Sequence, residues 1–160
     1  MTRTPPPTLG QHITGWLFVA AQVALFVALI LLPRSDHWPV PGWLVVVGYL
    51  LMAAGTVVIL IAGLRLGPSL TPTPVPTDNG RLTTTGLYRF SRHPIYSGVL
   101  LIVAGIVIRS GSILIAAVGA LAVGFFTVKA LWEEDRLRER YPEYDAYVAV
   151  TGRFLPRVRR

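Results

Sequence analysis

Two short stretches of this 160-residue chain concentrate the residue types able to do chemistry. The first is Gly86-Leu87-Tyr88-Arg89-Phe90-Ser91-Arg92-His93-Pro94-Ile95-Tyr96-Ser97-Gly98. Proline disfavours helical geometry at the residue before it and suits the first position of a helix, so the chain is predicted to bend at His93 and enter a helix at Pro94. The free N–H groups and positive dipole end of such a helix suit a carboxylate or phosphate, with Arg89 and Arg92 close by. The rings of Tyr88 and Tyr96 are placed to flank a bound cofactor, although arginines and tyrosines also anchor helices at the lipid headgroups. The second stretch is Glu133-Glu134 with Leu137, Tyr141, Tyr144, Tyr147 and the ending Arg153-Phe154-Leu155-Pro156. Adjacent glutamates on a helix point about 100° apart, so one can face a bundle while the other stays in water. Each can hold ribose hydroxyls or an amino group, or form a salt bridge one turn away, Glu133 with Lys129 and Glu134 with Arg138.

The elements that must position these residues are apolar helices. Ile13–Leu32, Pro41–Leu64, Ile95–Ile108 and Ser110–Val128 contain no charged side chain. Crossing a bilayer core takes roughly 20 helical residues, so the third run becomes a span by recruiting His93 and Pro94 or by local thinning, and is otherwise re-entrant. The expected spans are 13–32, 41–64, 93–108 and 110–128, an all-α integral membrane bundle of about four transmembrane helices, with residues 1–160 as a single membrane domain. With 52% hydrophobic and 14% charged residues, an ordinary soluble domain is excluded. The net charge of +7 flanks apolar runs and reads as topology and headgroup contact rather than nucleic-acid binding. Thirteen Lys and Arg fall on one side of the four spans and two on the other. The positive-inside rule then puts both termini and the 65–94 loop in the cytoplasm. There is no cysteine, and His12, His37 and His93 lie in separate segments, so no metal site is expected.

Between the second and third runs, residues 67–76 are proline-rich and precede the turn signal Asp78-Asn79-Gly80, suggesting a semi-rigid strap. Ala116, Ala120 and Gly124 form a small-residue stripe suited to close helix packing. Beyond Val128, a charged, helix-forming stretch should continue the fourth helix into the cytoplasm and stop before Pro142. Six of the eight acidic residues lie between Glu133 and Asp145, a concentration that asks for a cationic partner.

The run Thr85-Gly86-Leu87-Tyr88, then Arg92-His93-Pro94-Ile95-Tyr96-Ser97-Gly98, Glu133-Glu134-x-x-Leu137, Tyr141-Pro142, Tyr144, Tyr147 and Leu155-Pro156 resembles the isoprenylcysteine carboxyl methyltransferase family, itself related to the integral-membrane phospholipid methyltransferases. The likeness covers residues 80 to 156. It implies an S-adenosylmethionine-dependent methyltransferase acting on a lipophilic or membrane-associated acceptor at the cytoplasmic interface, the cofactor being held by elements 80–98 and 129–156. By that resemblance the cofactor contacts are Arg81, Leu82, Thr83, Tyr88, His93, Pro94, Ile95, Tyr96, Glu133 and Glu134, with Arg92 and Lys129 on the substrate side. Its partners would be a lipophilic small molecule or lipid-modified substrate, together with membrane lipids. Two positions depart from the pattern. Gly80 stands where relatives often carry a histidine, and Lys129 stands where eukaryotic members carry an arginine, whose bidentate grip on a carboxylate an ammonium does not reproduce.

Methyl transfer from a sulfonium needs a positioned nucleophile and a desolvated site, and no dedicated base if the acceptor is already anionic, so no catalytic residue is singled out. Two other readings compete. An NADPH-dependent reductase of the sterol-reductase type shares a similar Arg-x-Pro-x-Tyr stretch but generally has more spans. A non-enzymatic four-helix scaffold would use the charged strip 133–145 for docking.

Overall fold

The computed structural model describes residues 8–32, 38–67, 73 and 82–157. Within them the regular structure is helical: α1 (Leu9–Leu31), α2 (Gly42–Leu66), a 3-10 turn (Gly86–Arg89), α3 (Pro94–Ser110), α4 (Ile113–Arg140) and α5 (Tyr144–Val150). The strap at 67–76 lies almost wholly outside the described residues, as do Asp78, Asn79, Gly80 and Arg81.

Helix α1 starts four residues before the predicted span because Thr8 and Gln11 form a reciprocal cap. The Thr8 hydroxyl accepts from the Gln11 N–H at 3.3 Å and the Gln11 side chain accepts from the Thr8 N–H at 2.8 Å. Helix α3 has Pro94 at its first position, as the bend at His93 implied. It is an unbroken helix of 17 residues, about 25 Å at 1.5 Å per residue, and carries Arg109 in its last turn. Helix α4 is one continuous helix of 28 residues, apolar to Val128 and charged beyond, with Tyr141 as its C-cap immediately before Pro142. Helices α1, α2 and α4 are long and apolar enough to cross a membrane, while α3 is shorter. Their outward faces expose Leu17, Trp43, Leu50, Leu60, Leu64 and Leu121, a surface that only an apolar medium suits. The chain is an integral membrane protein.

The tightest seam runs between α2 and α3, which lie antiparallel. A Cβ on Gly55 would stand 2.4 Å from the Gly98 carbonyl oxygen, and one on Gly105 would stand 2.4 Å from that of Gly48. Four glycines thus bring two backbones into contact at two levels, seven residues apart on each helix, as small residues do in membranes where dispersion replaces hydrophobic drive. The predicted stripe on α4 plays no such part. Ala120 and Gly124 are exposed, and a Cβ on Gly124 would meet nothing within 4 Å. The buried face of α4 is Ile115, Gly119, Ala122, Phe126, Lys129, Ala130 and Glu134. Spacing alone found the right kind of stripe on the wrong helix face. Helix α1 packs on α4, with Phe26 stacked on Phe126 and Phe18 against both Phe125 and Trp132. Leu29, Val103, Ile115 and Ala122 form the core between α1, α3 and α4.

Candidate active site at the α3 start and α4 end

The bend before α3 is held by the C-terminal tail. Arg92 N–H donates to the Gly152 carbonyl at 2.9 Å and His93 N–H to that of Arg153 at 3.0 Å, around an isolated parallel bridge between Ser91 and Gly152. The Ser91 hydroxyl donates to the Arg153 carbonyl at 2.8 Å, and the Ser97 hydroxyl to that of Phe154 at 2.7 Å. At Gly152 a Cβ would stand 1.8 Å from the Leu155 carbonyl oxygen, so the tail turns here only with glycine. Helix α5 hangs on the same framework, since the Tyr147 hydroxyl donates to the Tyr88 carbonyl at 2.5 Å. Burial pushes the Tyr147 phenol up to about 12, with Arg92 opposing and Glu134 reinforcing, so it remains a neutral donor.

Glu134 is the electrostatic centre. Its side chain is fully buried and accepts at Oε1 from Arg92 Nε at 3.1 Å and Arg153 Nε at 2.9 Å, with His93 Nε2 at 3.2 Å from the same oxygen. Arg153 also reaches Oε2 at 3.2 Å, and Arg138 lies 3.8 Å away. Burial alone would raise this carboxyl pKa. The hydrogen bonds from His93 and Arg153, with the charges of His93 and Arg92, outweigh it and hold the group well below its ordinary 4.5. The Arg92 guanidinium also donates to the Thr151 carbonyl, so its donors are committed within the fold.

Glu133 looks the other way and keeps a side chain 26% exposed. Its Oε2 accepts from the Tyr96 hydroxyl at 2.7 Å and stands 3.7 Å from His93 Nδ1. The His93 and Tyr96 rings stack with centroids 5.2 Å apart and planes only 2° from parallel, and Phe126 and Phe154 close around the pair. Tyr88 is buried beneath, close enough for Glu133 to reinforce the rise that burial gives its phenol pKa. The Tyr144 hydroxyl is buried with no partner among the described residues, under the influence of Glu134, Arg92 and Glu133.

Of the residues singled out in the sequence, Tyr88, His93, Pro94, Tyr96, Glu133 and Glu134 converge here. Ile95, Leu82 and Thr83 are half-buried, and Arg81 lies outside the described residues. Arg89 covers the Phe90 ring at 4.6 Å rather than the helix start. Lys129 is 3% exposed and, instead of pairing with Glu133, donates to Gln22 Oε1 at 2.7 Å while lying 5.3 Å from the centre of the Tyr96 ring. Sequence reasoning missed Gln22, Ser91, Ser97 and the role of Arg153. Only Gln22 left a signal, as the one amide in the apolar run Gly15–Leu32.

Comparison with known proteins bears on the family and the fold. The phospholipid methyltransferase family matches residues 43–144, more than half the chain. The chain is 37% identical over 78 residues to the nickel-cobalt-cadmium resistance protein NccN of Alcaligenes xylosoxydans xylosoxydans, covering 48% of this chain and 37% of that protein. It is 36% identical over 81 residues to the cobalt-zinc-cadmium resistance protein CzcN of Cupriavidus metallidurans, covering 50% and 38% respectively. It therefore matches less than two-fifths of the length of these relatives. Among solved structures, a eukaryotic intramembrane Ras methyltransferase, isoprenylcysteine carboxyl methyltransferase, superposes with a TM-score of 0.65 at 23% identity, over 91% of this chain and 50% of that one, a likeness of fold. By its family match, which spans α2, α3 and α4 with both glutamates, this chain belongs to the phospholipid methyltransferase family.

Proposed function

We propose that this protein is an S-adenosylmethionine-dependent methyltransferase that modifies a lipophilic acceptor at the cytoplasmic face of a membrane, as a single membrane domain with both termini in the cytoplasm. The observation that carries the reading is the meeting of His93 and Tyr96, from the start of α3, with Glu133, from the end of α4, beside an apolar bundle. The orientation rests on the thirteen-to-two distribution of basic residues.

The donor set fits the cofactor. Glu133 has one oxygen occupied by Tyr96 and a second with no hydrogen bond among the described residues, as ribose hydroxyls or an amino group require. The N–H groups of Ile95 and Tyr96 precede the first backbone bond of α3, from Ser97 to His93, and with the dipole they suit a carboxylate. Glu134 binds nothing outside the chain in this scheme: it fixes His93 and holds Arg92 and Arg153 in place. By the family resemblance Leu82, Thr83 and Arg81 are assigned to the cofactor side, and Arg92 serves by orienting Glu134 rather than by touching the acceptor.

S-adenosylmethionine supplies an electrophilic methyl group on a sulfonium. The chain orients it through Glu133 and the start of α3, and excludes water with Phe126 and Phe154. The test is incubation of the purified protein with labelled S-adenosylmethionine and a membrane lipid extract. Label should appear in a lipid-soluble product; binding of NADPH with no binding of S-adenosylmethionine would overturn the reading.

A further inference from the structure

Arg109 lies in the last turn of α3, about 22 Å along the helix from Pro94 and so at the end of the bundle remote from His93. Side chains of a helix lean toward its N-terminus, so this arginine turns back along α3 instead of reaching out past its end. The packing follows: a Cβ on Gly48, which faces Gly105 one turn earlier, would stand 3.0 Å from Arg109 Cβ and 3.3 Å from its Cγ. The guanidinium ends over the Tyr49 ring, 4.6 Å from its centre, with Nη2 donating to the Tyr49 hydroxyl at 3.1 Å. Tyr49 is 53% exposed on the outward face of α2, about 9 Å along that helix from the exposed Trp43. Arg109 Nε is buried without a partner, and among the described residues no carboxylate lies within ion-pairing distance of the guanidinium. Asp36, the one acidic residue between α1 and α2 in the sequence, lies outside the described residues. A cation turned inward on a lipid-facing surface marks a place where charge is used.

The length of α3 says what meets that charge. Its 17 residues give about 25 Å against a hydrocarbon core of roughly 30 Å, and its start is fixed by the tail at Arg92 and His93, so the missing length falls at the Arg109 end. A short span is matched by thinning the bilayer around it, which brings headgroups down to an inward-turned guanidinium. We infer that Arg109 and Tyr49 form a binding site for the phosphodiester of one phospholipid, in the leaflet opposite the candidate active site. Two donors converge there. The Tyr49 hydroxyl accepts from Arg109 and keeps its own proton to give, and Nη1 of Arg109 has no hydrogen bond among the described residues. A guanidinium edge with a hydroxyl beside it suits the two unesterified oxygens of a phosphodiester. The acyl chains run inward along α2, over the exposed Leu50 and Val57. This lipid is bound and not methylated, being a helix length away from Glu133, and the inference does not depend on the methyltransferase reading.

The experiment is native mass spectrometry of the full chain released from maltoside micelles, with three added lipids of identical dioleoyl chains: phosphatidylglycerol, phosphatidylcholine and a phosphate-free glucosyl diacylglycerol. Both phospholipids should be retained as a one-lipid complex at roughly tenfold or more above the glycolipid. Arg109→Gln should bring that ratio to near one, Tyr49→Phe should lower it severalfold while keeping the ring, and Arg109→Lys should keep part of it. Arg89→Gln, which removes a charge at the other end of the bundle, and Asp36→Asn should not lower it. Equal retention of all three lipids by the wild type, retention of phosphatidylglycerol without phosphatidylcholine, or a preference that survives Arg109→Gln would overturn the proposal. So would a loss in Arg89→Gln or Asp36→Asn as large as that in Arg109→Gln. Should Arg109→Gln fail to fold, the wild-type ratio and Tyr49→Phe decide it.

Discussion

Around Glu134 two arginines and a histidine crowd onto one buried carboxylate, while a few residues away Lys129 has an amide and a ring face for company and Glu133 keeps an oxygen open. The first region is saturated: its groups satisfy one another and tie α4, the start of α3 and the C-terminal tail into one unit. The second is polar and under-partnered beside the same helix. Groups already neutralised hold a structure together, and groups left wanting are those a ligand completes.

The largest expected effect breaks the saturated region. Glu134→Ala leaves Arg92 buried without a counter-charge and should cost roughly 3–5 kcal/mol, read as a loss of thermal stability in detergent or nanodiscs. At the α2–α3 seam, Gly55→Ala drives a methyl onto the Gly98 carbonyl and should cost about 1–3 kcal/mol in the same assay. Acid should act through Glu134, whose folded pKa is depressed. Its contribution is complete above the ordinary 4.5 and is lost as pH falls from there toward the folded value. Unfolding temperatures should therefore hold steady above that pH and fall below it, and Glu134→Gln should flatten the fall. The smallest effect is on the open stripe of α4: Gly124→Ala meets no neighbour and should be neutral or stabilising by up to about 1 kcal/mol.

These contrasts also explain what could be read in advance. The helices were legible to within a few residues because the apolar runs end at charges, prolines and caps, and His93-Pro94 announced the start of α3 through proline's own geometry. Glu133 and Glu134 stood out together, yet their separate roles depend on which faces the bundle, and that follows from helix rotation rather than from residue type. The role of Arg153 was hidden for a different reason. It reaches Glu134 only because the tail turns at Gly152 and lies along Ser91–Ser97, a long-range pairing with no local pattern. The α2–α3 seam was missed because glycines seven residues apart carry no charge or periodicity until two helices are placed side by side.

The division between a structural Glu134 and a ligand-facing Glu133 is tested most directly by calorimetric titration of S-adenosylmethionine into the protein in nanodiscs, with unfolding temperature followed in parallel. The account predicts binding by the wild type, and a loss of roughly tenfold or more in affinity for Glu133→Gln and His93→Ala. For Glu133→Gln the unfolding temperature should be nearly unchanged. Folded Glu133→Gln and His93→Ala proteins that bind S-adenosylmethionine as tightly as the wild type would contradict it.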